Sequence, residues 1–210
     1  RVYKARQSGK VANFGYPGGL GYARFVDYAR TQYGVVLDPD PVEALKKAKE
    51  LKEFWMTAWP ESQRYADWIS KMCEEHEEGA LIEQDFVKRF RGGLGFTDAS
   101  NTPFQGLAAD AAKHAGFLIA RACYIDQASP LFGGRIANFV HDEFVVEVPA
   151  NDRAHDAAVE LGRLMEEGAK PYLPDVPPKV KPYLALRMSK KAEPRYSNGR
   201  LAPWDMEIAA

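Results

Sequence analysis

The sequence predicts an α+β fold, and two observations carry that reading. Apolar residues recur at three- and four-residue steps along residues 21–78, the period of amphipathic helices. Residues 135–148, RIANFVHDEFVVEV, instead alternate apolar and polar on both sides of His141-Asp142, the period of a β-hairpin.

Each element follows in order. Residues 1–16 read as a helix stopped by Pro17-Gly18-Gly19, because proline lacks the donor and clashes with the preceding turn. Residues 21–33 form a second helix with Phe25, Tyr28 and Ala29 on one face, and Gly34 in the capping position. Asp38-Pro39-Asp40-Pro41 is a turn and helix start. Val42 to Trp59 is then helical through Leu45, Ala48, Leu51, Phe54 and Trp55. Pro60-Glu61 opens a helix expected to run to about Glu78. A short strand or hairpin is expected near Ala80 to Ile82, an alanine-rich helix over 102–126 and another helix over 151–170. Lys181 to Met188 is a further strand candidate, and Asn198-Gly199 marks a turn.

Composition bounds the function. Hydrophobic residues are 46% and charged residues 27% of the 210 positions, values of a soluble globular chain. No apolar run is long enough to cross a bilayer as a helix, and no basic-then-apolar leader opens the chain. Arg1 rather than methionine stands first, as in a partial sequence, a processed product or a trimmed chain. Cys73 and Cys123 lie fifty residues apart without ligand-like spacing, and are expected to be reduced, buried thiols. The net charge of -1 argues globally against a nucleic-acid binder. The local distribution reverses that. Residues 1–24 hold five basic residues, Arg1, Lys4, Arg6, Lys10 and Arg24, and no acidic one, and a second basic cluster lies at 88–91. The lysines and glutamates of 43–53 and the run Glu74, Glu75, Glu77, Glu78 read as solvated faces, and Trp55, Trp59 and Trp68 as core.

Three stretches carry chemistry. Arg6, Lys10 and Phe14 stand four apart, which stacks them on one helical face. Two cations and a ring suit a nucleoside triphosphate, the cations on phosphate and the ring on the base; the alternative is a solvated basic face. Asn101-Thr102-Pro103-Phe104-Gln105-Gly106 places two amide side chains at a helix start. They can read groove acceptors or hold a backbone, or simply cap the helix. Val140-His141-Asp142-Glu143-Phe144 puts carboxylates on a hairpin tip, suited to a hard cation such as magnesium or to an ordinary charged turn.

Together these stretches resemble the C-terminal part of family A DNA polymerases, the bacterial DNA polymerase I type, and most closely its phage members. Arg6 to Gly15 (RQSGKVANFG) resembles motif B. Asn101 to Asp110 (NTPFQGLAAD) resembles the palm helix on the primer-template. His141-Asp142-Glu143 resembles motif C. Order and rough spacing match over nearly the whole chain. The resemblance implies fingers helices over 1–78, and a palm portion over 79–210 with its primer-template helix at 101–126 and motif C hairpin at 135–148. That hairpin is expected to centre a small antiparallel sheet; its expected partner strand, from motif A, is absent, so the hairpin with the strand near 181–188 would leave an open edge.

The resemblance also implies roles. Arg6 and Lys10 bind the triphosphate of the incoming deoxynucleotide, and Phe14 packs on its base and sugar. Arg91, in a Gly-rich loop RGGLG, contacts the primer-template with Asn101, Gln105 and His141. Asp142 is a magnesium ligand. Asp142, Glu143 and Lys10 form the catalytic set of a two-magnesium nucleotidyl transfer. The partners implied are a DNA primer-template, deoxynucleoside triphosphates and a segment, upstream or separate, carrying motif A; no membrane is implied. The compartment implied is the cytoplasm, that of a host cell for a phage protein. Two departures stand out. Many members carry a tyrosine where this chain has Gly18, and Tyr16 is a nearby candidate for its template-stacking role. Motif A, with the second catalytic aspartate, is not among these 210 residues, so the chain alone is expected not to extend a primer. A single-subunit RNA polymerase fits less well, because its motif C typically reads His-Asp-Ser. A non-catalytic module that binds nucleotide or nucleic acid remains the alternative from another class. A purely helical interaction protein is opposed by the 135–148 alternation.

Overall fold

The computed structural model describes residues 2–189 and 191–205. The fold is α+β, with long helices and small sheets. The chain divides into two compact units, residues 1–106 and 107–210.

In the first unit, α1 (Val2–Gly15), α2 (Tyr22–Tyr33) and α3 (Pro41–Ala58) build one core from Val11, Ala12, Tyr16, Phe25, Ala29 and Ala48. The expected stops operate. Gly34 takes a left-handed φ of 62° and donates its N–H to the carbonyls of Ala29 and Arg30. Asp40 caps α3 by accepting from the amides of Val42 at 2.8 Å and Glu43 at 3.1 Å, with Pro41 in the first turn. Trp55 packs against this core and its indole N–H donates to Asn13. Trp59 and Trp68 do not follow the core expectation: they are 55% and 44% exposed.

α4 (Glu61–Glu74) ends four residues short of the expected Glu78. A run of glutamates at a helix C-terminus opposes the negative end of the helix dipole, which favours an early stop. β1 (Ala80–Glu83) and β2 (Phe90–Leu94) pair antiparallel and bury Ala80, Ile82 and Leu94 with Ile69 and Ala99.

α5 (Phe96–Tyr124) starts five residues before Asn101, so Asn101 and Gln105 are not at the helix start, as expected, but inside it. Pro103 accordingly lies inside the helix rather than at its first turn. Ser100, Asn101 and Thr102 each donate a side-chain hydrogen bond to the carbonyl four residues back, on Phe96, Thr97 and Asp98, at 2.7–2.8 Å. Such back-bonding holds carbonyls and bends helices, and it leads directly into the turn that contains the proline.

The second unit packs the rest of α5 against the hairpin of β3 (Arg135–Val140) and β4 (Glu143–Glu147) and against α6 (Ala154–Ala169). Its core is Ile119, Ala122, Cys123, Leu131, Ala157 and Leu164. The two helices approach closely: a Cβ on Gly168 would lie 2.4 Å from the Cα of Ala115. Burial raises the Cys123 thiol pKa, and both cysteines are free.

The expected sheet around the 135–148 hairpin is not what the structure shows. Among the described residues β3 and β4 form a sheet of two strands. β5 (Leu184–Ala185) instead pairs parallel with β7 (Arg200–Trp204), which pairs antiparallel with β6 (Arg195–Ser197). Pro182 removes a donor just before β5 and keeps it short. The β6–β7 turn is Asn198-Gly199, with φ of 50° and 76°, the pattern of a tight hairpin turn.

Candidate functional site

α1 presents Arg6, Lys10 and Phe14 one turn apart. All three are exposed, Phe14 by 59%. Val11 and Ala12, on the other side of the same turns, are buried. Core packing therefore fixes the helix and turns its basic, aromatic face outward. Of the remaining basic cluster, Arg1 lies outside the described residues.

Tyr16 is not available for the template-stacking role considered for it. It is buried, stacks on Phe25 at 4.5 Å between centroids, and donates its hydroxyl to the Ala48 carbonyl at 3.1 Å. Burial raises its pKa. Gly18 is explained by its neighbour. A Cβ there would lie 3.1 Å from the side-chain nitrogen of Asn101, closer than nearly all real contacts. The next residue, Gly19, has a φ of 77°, and a Cβ on it would meet the Phe96 ring at 2.4 Å. The segment after α1 is thus fitted against the start of α5 by two glycines.

The first turns of α5 gather the other polar residues of this unit. Arg91 lies in strand β2, not in a loop, and its guanidinium donates to the Thr102 hydroxyl at 3.3 Å. Asn101 is half-buried and Gln105, one turn on, is exposed. The structure therefore brings Arg91, Asn101 and the Gly18 segment to one place. Two residues that the sequence reading passed over hold it. Gln84 is only 3% exposed and donates to the Pro103 carbonyl at 2.9 Å. Tyr65 donates to the Ser100 carbonyl at 2.6 Å, and burial pushes its pKa up to about 12. Lys88, counted in the basic cluster, pairs with Glu83 and Asp85.

In the second unit His141, Asp142 and Glu143 form the exposed end of the β3–β4 hairpin. His141 takes a φ of 58°, a conformation for which histidine is one of the more tolerant side chains. The hairpin body is seated by Phe144, which stacks on Phe139 at 4.5 Å. A Cβ on Gly116 of α5 would meet the Phe144 ring at 3.0 Å. The two carboxylates differ. Glu143 accepts a hydrogen bond from Tyr183 at 2.6 Å, and that bond, with burial, pushes the tyrosine pKa up to about 12. Asp142 has no hydrogen-bond or ion-pair partner among the described residues. Tyr183 is a third residue the sequence reading missed; forty positions separate it from Glu143, and no local pattern links them.

Hard carboxylate oxygens suit magnesium. The exposed Asp142 carboxylate is a donor of that chemistry, while among the described residues no group of three or more His, Cys, Asp or Glu side chains stands together.

The chain is similar to DNA polymerase I of Aquifex aeolicus (strain VF5), with 28% identity over 185 residues. The match covers 88% of this chain and 30% of that polymerase, so the chain spans under a third of its relative's length. No family model matches. The similarity supports a DNA polymerase-type relationship over nearly the whole chain. Among the described residues no helix is long and apolar enough to cross a membrane.

Proposed function

We propose that this chain is the nucleotide- and primer-template-binding portion of a template-directed DNA polymerase of family A, phage-like in type. The observation that carries the reading is the similarity to a DNA polymerase I across 88% of the chain; three motif-like stretches standing in order along the sequence support it. Residues 1–78 act as fingers and 79–210 as part of the palm. The host compartment is the cytoplasm.

In this reading Arg6 and Lys10 hold the triphosphate as charge-assisted donors, and Phe14 packs on the base and sugar. Arg91, Asn101 and Gln105 hold the primer-template through backbone and groove contacts. His141 and Glu143 flank the primer terminus, and Asp142 holds a metal from one side. Magnesium, two ions in the full enzyme, would be held in part by Asp142 and would supply acidification of the primer hydroxyl and stabilisation of the developing charge. The primer 3′-hydroxyl attacks the α-phosphorus and pyrophosphate leaves. The second metal-bridging aspartate comes from a motif A segment, upstream or on a separate polypeptide.

The test is reconstitution. The 210-residue chain alone should not extend a primer. A polypeptide bearing motif A should restore extension, and Lys10→Ala and Asp142→Asn should each abolish the restored activity. Extension by the chain alone, or restored extension indifferent to both substitutions, overturns the reading.

A second reading, binding without catalysis, is favoured by one observation: the incomplete carboxylate set among the described residues. Calorimetric titration with a deoxynucleotide and magnesium separates the two. A polymerase portion needs Lys10 and Asp142 for that binding, whereas a scaffold is indifferent to them.

A further inference from the structure

Asp142 and Glu143 are neighbours on one hairpin tip, yet only one of them is free to move. The Tyr183 hydroxyl donates to Glu143 Oε1 at 2.6 Å, and a phenol bound to a carboxylate makes a charge-assisted bond. Tyr183 itself stands on a fixed backbone. Its predecessor Pro182 packs on α6, where a Cβ on Gly162 would lie 3.3 Å from the proline ring. Its successors Leu184 and Ala185 pair with Pro203 and Trp204 of β7. The backbone that carries the donor is thus held on both sides, and Glu143 is tied to it by the Tyr183 hydroxyl.

We infer that Tyr183 is a positioning residue that ties Glu143 back and leaves Asp142 as the single open carboxylate of the hairpin tip. The inference rests on the proposed function for the importance of Asp142; the hydrogen bond does not depend on it. Two free carboxylates on adjacent tip residues would both swing onto one cation. The tie prevents that. A metal then meets one carboxylate from this hairpin and keeps its other positions open for ligands from elsewhere, as an open catalytic site requires. Tyr183→Phe keeps the ring and removes the tie.

The experiment uses the full chain and Mn2+ as probe, followed by water proton relaxation. Released Glu143 joins Asp142, so Tyr183→Phe should bind Mn2+ about threefold or more tightly, because affinity for hard cations rises with the number of charged ligands. In a Glu143→Gln background the same substitution should change nothing. A merely structural role for the hydroxyl would not produce that dependence. Affinity in Tyr183→Phe that is unchanged or weaker overturns the inference. The carboxyl carbon resonance of Glu143 gives a reading without metal: it should move in Tyr183→Phe, and a resonance that stays put also overturns the inference. Asp142→Asn keeps the two claims apart. Mn2+ binding that survives it overturns Asp142 as the cation ligand, while the Glu143 resonance still decides whether Tyr183 holds its carboxylate.

Discussion

The two halves of α5 are held in different ways. Residues 96–106 are gripped by side chains: Tyr65 on the Ser100 carbonyl, Arg91 on the Thr102 hydroxyl, Gln84 on the Pro103 carbonyl. Residues 107–124 are approached mainly through glycines, with one side-chain tie in the Tyr124 hydroxyl that accepts from the Ile136 amide at 3.0 Å. Gly168 lets α6 approach the backbone at Ala115, and Gly116 lets the Phe144 ring of the hairpin sit against the helix. The polar grip is itself buried at Gln84, Ser100 and Thr102, while Asn101 is half-buried and Gln105 exposed on the same turns. A close backbone approach leaves only packing. The two halves of one helix are thus fixed by different means, side-chain hydrogen bonds before residue 107 and close packing after it.

The largest effect should come from breaking the second grip. Gly168→Val places carbon within 2.4 Å of a backbone atom that cannot rotate away. It is expected to cost about 3 kcal/mol, measured as a fall in the urea midpoint. The first grip should yield more. A Cβ on Gly106 would overlap the Gln84 amide at 1.8 Å, but that amide is the end of a flexible side chain. Gly106→Ala is therefore expected to cost about 2 kcal/mol, the loss of a buried hydrogen bond. In a Gln84→Ala background that cost should fall below about 0.5 kcal/mol. A full cost there would mean that the backbone, not Gln84, is what Gly106 accommodates.

A pH titration tests the polar grip from another side. Tyr65 has its pKa raised from 10.0 to about 12 by burial. The folded state therefore keeps the phenol proton longer than the unfolded state. Its contribution is fully present below pH 10 and is lost as pH rises towards 12. Stability should fall by about 1 kcal/mol across that window after allowing for partial exposure. Tyr183 reaches about the same pKa through its bond to Glu143 before burial. Subtracting the Tyr65→Phe curve from the parent curve isolates the Tyr65 share; a difference that is flat between pH 10 and 12 would remove Tyr65 from the grip.

Much of this arrangement was legible in the sequence. The helical periods of 21–58 and the alternation about His141-Asp142 put α2, α3 and the β3–β4 hairpin where the structure has them. α5 starts at Phe96 rather than near Thr102, because three consecutive side chains hold the turn before Pro103. Gln84, Tyr65 and Tyr183 carried no sequence signal, since their partners lie 19, 35 and 40 residues away. Period and propensity report local structure, and these contacts exist only after the chain has folded. The tail was half legible: Asn198-Gly199 announced the turn, but strands of three and five residues offer too little alternation to read.

The smallest expected effect is the sharpest probe of how the Gly18 segment meets the polar half of α5. A Cβ on Gly18 sits 3.1 Å from the Asn101 nitrogen, which itself donates to Thr97 at 2.8 Å. Gly18→Ala must either push that amide aside or lose a few tenths of an ångström elsewhere. The cost should be about 0.5–1 kcal/mol. Asn101→Ala removes the obstacle, so the double variant should be less destabilised than the sum of the singles by about that amount. Coupling of this sign would show that the glycine is there to admit the asparagine. Simple additivity would separate the two residues, and the glycine at position 18 would then need another cause.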